Sequence, residues 1–205
     1  MFAGRFEPAI AAAEAITRAL TPDLLAVERP HMAATLEGYY SMFMHALVRF
    51  GKWQEIIARP LPDDPVLYCV STAMSHYARS VAYSALSQIE AAEAESSLFT
   101  EAVGRITETR FFFNNTAHDI LAIAEAMMMG ELEYRKENFD LAFAHLGRAV
   151  MLDDELYYTE PWAWMHPPRH ALGALLLEQG RVSEAEHVYR ADLGIDDSLS
   201  RPSQH

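Results

Sequence analysis

Five short stretches of this chain share one local pattern, and that recurrence constrains the fold more than any other feature. They are GRFEPAIAAAEAI, GKWQEIIARP, SQIEAAEAESSLF, ENFDLAFAHLGRAV and GRVSEAEHVYRADL. In each, a small or polar residue is followed two places on by a large apolar one, and three further by a small or apolar one. The positions are Gly4/Phe6/Ala9, Gly51/Trp53/Ile56, Ser87/Ile89/Ala92, Glu137/Phe139/Ala142 and Gly180/Val182/Ala185. Such a pattern suits a turn between two packed helices: the large residue fills the gap beside the turn, and the alanine lets the helices approach. Gly130 and Gly173 precede the last two turns by equal spacing, again where helix must meet helix.

Apolar residues recur at helical spacing along nearly the whole chain, and no alternating run of the strand kind persists. Thr21-Pro22 has the form of an N-cap followed by proline in the first turn. Pro60, Pro62 and Pro65 must separate two helices. The spacing predicts helices over 7–20, 33–50, 52–58, 65–86, 88–104, 116–135, 138–152, 167–179 and 181–193, with Asn114-Asn115-Thr116 capping the sixth. The chain is predicted to be all-α, a single array over 1–205.

The turn pattern resembles the tetratricopeptide repeat (TPR), a helix–turn–helix unit of about 34 residues. The resemblance is most specific over 123–152 and 166–193, moderate over 1–20 and weak over 33–58 and 66–104. VRFGKW and the stretch 157–193 are similar to a bacterial and fungal type with irregular, long repeats, and most turns here do stand further apart than the standard unit. What the resemblance implies is an α-solenoid, a right-handed superhelix of antiparallel helix pairs, with no assigned activity. The chain begins at a turn and ends in GIDDSLSRPSQH, which has the character of a linker into another repeat. Helix 7–20 is therefore expected to show an apolar face (Ile10, Ala13, Ile16, Leu20) with little to cover it. Two explanations fit: a fragment of a longer array, or a homo-oligomer formed through this N-terminal end.

Composition narrows the function classes. With 51% hydrophobic and 22% charged residues the chain is an ordered globular protein. Its net charge of −13 repels phosphate backbones and anionic lipid, so neither nucleic acid nor membrane is an expected partner. Cys69 is the one cysteine and lies in an apolar run, so no disulfide framework or cysteine metal cluster can form, and an inert buried thiol is expected. The N-terminus lacks the features of a signal peptide. A cytoplasmic location is expected.

No motif assigns a cofactor, a metal or a catalytic set. His166 and His170 are four apart, but Pro167 and Pro168 put His166 at or before the helix start, where capping and packing are the expected roles. Glu184 and His187 match only half of a di-iron motif, which needs two copies from different helices. ALVRFGKW lacks the first glycine of a phosphate loop, and Trp53 stands where serine or threonine would hold magnesium. The methionines, among them Met42, Met44 and Met127–Met129, are expected mainly to pack between helices.

The first helix of each TPR pair lines the concave face, and polar residues there are not required by core packing. The candidates are His45 and Arg49, His76 and Arg79, and Glu131, Tyr134 and Arg135. The aromatics Trp162 and Trp164 at the entrance, and His170, are expected beside them. These residue types dominate binding surfaces. The function expected is a non-catalytic scaffold that binds a peptide or partner protein in the groove. The alternative is a small-molecule- or metal-binding protein or enzyme in which His45, His76 and His170 converge.

Overall fold

The structure, a computed structural model, describes residues 3–160 and 162–195. It is mostly helical. The helices are α1 (Phe6–Ala19), α2 (Pro22–Leu25), α3 (Met32–Tyr40), α4 (Met42–Arg49), α5 (Trp53–Ala58), α6 (Cys69–Ala85), α7 (Ile89–Val103), α8 (Ala117–Arg135), α9 (Phe139–Asp154), α10 (Pro168–Glu178) and α11 (Val182–Asp192). Among the described residues the strands are β1 (Phe111–Phe112) and β2 (Asn115–Thr116), paired as one antiparallel hairpin.

All five turn residues read from the sequence adopt left-handed backbone: Gly4 (φ 67°), Gly51 (64°), Ser87 (58°), Glu137 (63°) and Gly180 (71°). Gly194 repeats the conformation at 68°. A helix starts two residues after each of the five, at Phe6, Trp53, Ile89, Phe139 and Val182. Where a helix precedes the turn, two backbone bonds close it. At Glu137, for instance, its N–H donates to the Tyr134 carbonyl (3.0 Å) and the Asn138 N–H to the Glu133 carbonyl (2.9 Å). This double closure satisfies carbonyls that the helix end leaves open.

A three-residue connection reverses the chain, so α6 packs back along α7, α8 along α9 and α10 along α11. The third position of the pattern lies at the closest approach: Ile56, Ala92, Ala142 and Ala185 are all fully buried. A Cβ on Gly130 would stand 2.7 Å from Leu146 Cγ, and one on Gly173 2.5 Å from Tyr189 Cζ, so both glycines permit contact between paired helices. The equivalent place in α6 is Ser80, whose hydroxyl donates to the Ala92 carbonyl at 2.9 Å. Successive pairs also touch: α6 lies against both α4 and α8, α7 against α8, and α9 against α10. One buried cluster runs through them from Ala13 to Val188.

Several boundaries differ from expectation. The helix expected over 33–50 is interrupted at Ser41, whose hydroxyl donates to the Gly38 carbonyl at 2.6 Å and so competes with the helix ladder. The helix expected from 65 starts at Cys69, because the Asp64 carboxylate takes the Val66 and Leu67 N–H groups into a turn. Its N-terminus is then capped from a distance: the buried Glu37 carboxylate of α3 accepts the Val70 N–H (3.2 Å), the Ser71 N–H (2.7 Å) and the Ser71 hydroxyl (2.6 Å). The hairpin was not foreseen. Thr116 caps α8 as expected, in a reciprocal box with Asp119, and Thr21 caps α2.

The expectation of a bare N-terminal helix is corrected. α1 packs on α3 and α4, with Phe6 edge-on to Phe50 at 5.2 Å. Ala13 and Leu20 are buried, Ile10 and Ile16 half-buried, and the Tyr68 hydroxyl donates to the Leu20 carbonyl at 3.2 Å. The cover is the chain's own α2–α4 segment, which the repeat alignment had treated as the next unit. An association through this end loses its motive. Residues 196–205, which hold most of the linker-like tail, lie outside the described residues. No helix among the described residues is long and apolar enough to cross a membrane.

Candidate functional site

Three helices and one irregular segment build the site. α4 carries His45 and Arg49, α6 carries Tyr77, and α8 carries Glu131 and Arg135. His45 and Glu131 stand at the same offset before their turns, as do Arg49 and Arg135. Between α9 and α10 the chain leaves helical conformation. Its base is closed by Arg169, whose guanidinium grips the Asp154 carboxylate with two bonds (2.7 and 2.6 Å). Its outgoing limb is tied to the hairpin: the Asn115 amide both donates to the Tyr157 carbonyl (3.1 Å) and accepts the Tyr157 N–H (2.7 Å), and Asn114 donates to the Tyr158 carbonyl. Helix resumes at Pro168, the first residue of α10, directly after Pro167 at the cap position.

This segment lies on α4 and α6. Trp164, 1% exposed, meets His45 edge-on at 5.0 Å and Tyr77 at 5.5 Å. His166 follows it inward, and its Nε2–H donates to the His45 carbonyl oxygen at 2.6 Å. With its proton on Nε2, His166 offers a lone pair at Nδ1, 3.5 Å from His45 Nδ1. The His45 proton therefore sits on Nδ1, and both rings are neutral. Burial drives this: it pushes His45 well below the ordinary histidine range, and protonating both rings would add repulsion between them. It brings His166 down to about 4 against the opposing pull of its bond to the His45 carbonyl, with the Arg49 charge adding to the fall. Within this cluster two buried polar atoms are left without a partner, His45 Nε2 as an acceptor and Trp164 Nε1–H as a donor. Burial also raises the Tyr77 phenol above its usual range, and the charge of Glu131 adds to it.

The remaining candidates have other partners. His76, buried on α6, contacts Glu95 of α7 at 2.6 Å, and Arg79 reaches the same carboxylate at 3.6 Å while donating to the Arg59 carbonyl at 2.7 Å. Both therefore turn toward α7 and the α5 end. Arg135 pairs with Glu131 one turn away at 2.8 Å, and the buried Tyr134 hydroxyl accepts from Gln179 at 2.9 Å, joining α8 to α10. His170 contacts Asp192 of α11 at 3.1 Å. The three histidines of the alternative thus have three separate partners, and among the described residues no group of three or more His, Cys, Asp or Glu side chains is arranged to hold a metal. Trp164 enters the site while Trp162 remains 48% exposed. A separate cavity of about 280 Å³ beneath Arg59–Asp63, lined also by Phe43 and Ser75, contains none of the candidates.

Of the capping and packing expected of His166, the packing is seen, for it is buried, but Pro167 holds the cap position and no side chain bonds there. The imidazole goes to α4 instead. Tyr77 was missed, although it stands at the same offset before Ser87 as His170 does before Gly180. Glu37 was missed too. An acid inside an apolar stretch was the available signal, but its partner lies on a different helix. Comparison with protein-family models, with curated proteins and with solved structures returned no match to this chain.

Proposed function

We propose that this chain is a TPR-like scaffold whose first helices form a concave surface for an extended segment of a partner protein. One observation carries the proposal. The face made by α4 and α6 already receives a non-helical stretch of polypeptide, with an indole set between His45 and Tyr77 and an imidazole on the His45 carbonyl. The repeated left-handed turns and the equivalent close approaches at Gly130 and Gly173 support the repeat architecture. Arg49, exposed at the rim, and the half-buried Glu131–Arg135 pair supply charges of both signs beside the face. No catalytic role is assigned, and a cytoplasmic location goes with a single, free, buried thiol.

Selection from a displayed peptide library tests the proposal. Peptides that share a consensus and lose binding to Arg49→Glu or Glu131→Arg, while both variants keep the wild-type melting temperature, are the expected outcome. A consensus that binds all three proteins equally would place recognition on another surface and end the proposal.

A further inference from the structure

We infer that residues 162–166 are an internal ligand of the first-helix face, and that an external partner segment bearing Trp-x-His competes for the same place. The inference rests on the scaffold role proposed above and names the chemistry of its partner.

The segment behaves as a docked peptide in its bonding. Among the described residues, no backbone–backbone hydrogen bond ties Ala163, Trp164, Met165 or His166 to any helix. Its ring and hydrogen-bond contacts with α4 and α6 are made by Trp164 and His166, and Ala163 and Met165 pack into the same buried cluster. The ends are fastened elsewhere, by Asn115 on one side and by the Arg169–Asp154 fork on the other. Release of the middle gives up the burial of Trp164 but breaks neither anchor and no backbone bond to a helix.

The fit is also incomplete. His45 Nε2 is a buried acceptor with no donor, and Trp164 Nε1–H a buried donor with no acceptor. Unmade bonds of this kind weigh against the state that buries them. A partner segment that keeps the indole and the imidazole, and brings one further donor toward His45 Nε2, holds an advantage that the chain's own segment lacks. Against this stands tethering: a short flexible link gives the internal segment an effective concentration on the order of millimolar. An external peptide of equal intrinsic affinity is thus excluded from the intact protein and admitted once the internal one is removed. The charged group acting on the imidazole pair is Arg49 from α4. The neutral phenol of Tyr77 from α6 lies against Trp164, the other anchor of the segment, and the charge of Glu131 of α8 acts on that phenol. Proline on both sides of Trp-x-His keeps a free partner extended and lowers the cost of ordering it.

The test uses the full chain and a fluorescein-labelled peptide with the sequence of residues 158–168, YTEPWAWMHPP, read by fluorescence polarisation. The double variant Trp164→Ala, His166→Ala is expected to bind the peptide at least tenfold more tightly than the wild type. Adding His45→Ala, which removes the ring contacts with Trp164 and His166 but leaves the His45 carbonyl, is expected to reduce the gain. A folded double variant that does not bind, or a wild type that binds equally well, overturns the inference. Peptides from the library that still respond to Arg49→Glu would in that event leave the scaffold role standing. If the double variant does not fold, hydrogen exchange of the wild type decides. Amides of 163–166 that exchange while α6 and α8 stay protected support a displaceable segment, and amides that exchange only together with those helices overturn it.

Discussion

Replacing Ser87 and Glu137 by glycine should stabilise this protein, against the usual effect of glycine. Both residues hold left-handed backbone, at φ 58° and 63°. Both are exposed, and neither side chain makes a hydrogen bond among the described residues. A residue with a Cβ pays about 1–2 kcal/mol in that region, because the Cβ crowds the following carbonyl. Glycine removes the clash but gives back about 0.5–1 kcal/mol through the greater freedom of the unfolded chain. The net is a gain of about 0.5–1 kcal/mol per site. In a chain of 205 residues that corresponds to a rise in Tm of about 2 °C. The turns belong to different helix pairs, so the double variant should show the sum. Urea unfolding followed by circular dichroism measures it, with Glu137→Ala as a near-neutral control for loss of the side chain. Gly51→Ala and Gly180→Ala, at φ 64° and 71°, should move in the opposite direction by about 1 kcal/mol. Lower midpoints for both Ser87→Gly and Glu137→Gly would refute the assignment of these turns, and with it the repeat alignment.

Three further outcomes follow from the packing and the buried polar groups. Ala142→Leu and Ala185→Leu, each placing three carbons where exposure is zero, should cost on the order of 1–3 kcal/mol, read from urea midpoints; unchanged midpoints in both would mean the helix pairs are not closely packed there. Glu37→Ala should cost about 2–3 kcal/mol or more, since it orphans the Val70 and Ser71 N–H groups at the start of α6, and Glu37→Gln should recover part of the loss in the same assay. Acid should weaken the fold through the imidazole pair. An unfolded histidine binds its proton near pH 6.5, whereas native His166 does so at about 4, so between these values the unfolded state holds more protons and stability falls as pH falls. The stability contributed is complete above about pH 7 and lost progressively toward pH 4. His166→Gln should flatten that part of the profile, and an unchanged slope would show that His166 is not its source.

What the sequence alone determined is the local architecture. A turn residue, a large apolar residue two places on and an alanine three further are all close in the chain. Their spacing alone reports where one helix closes and the next begins, and the left-handed φ values at Gly4, Gly51, Ser87, Glu137 and Gly180 follow it. Gly130 and Gly173 were legible for the same reason, since a missing side chain marks a helix contact wherever the turn lies at a fixed distance. The site was not legible in this way. His45 and His166 are 121 residues apart, and nothing in either neighbourhood encodes the other. Of two tryptophans two places apart, only Trp164 is drawn in, edge-on to His45 of α4 and Tyr77 of α6, while Trp162 stays 48% exposed. The cover over α1 is likewise a product of assembly: α2–α4 folds back onto an apolar face that the sequence shows as bare. Helix periodicity is a property of neighbours, whereas the occupant of a helix face is chosen by competition among all segments that can reach it, and only the tertiary structure decides that.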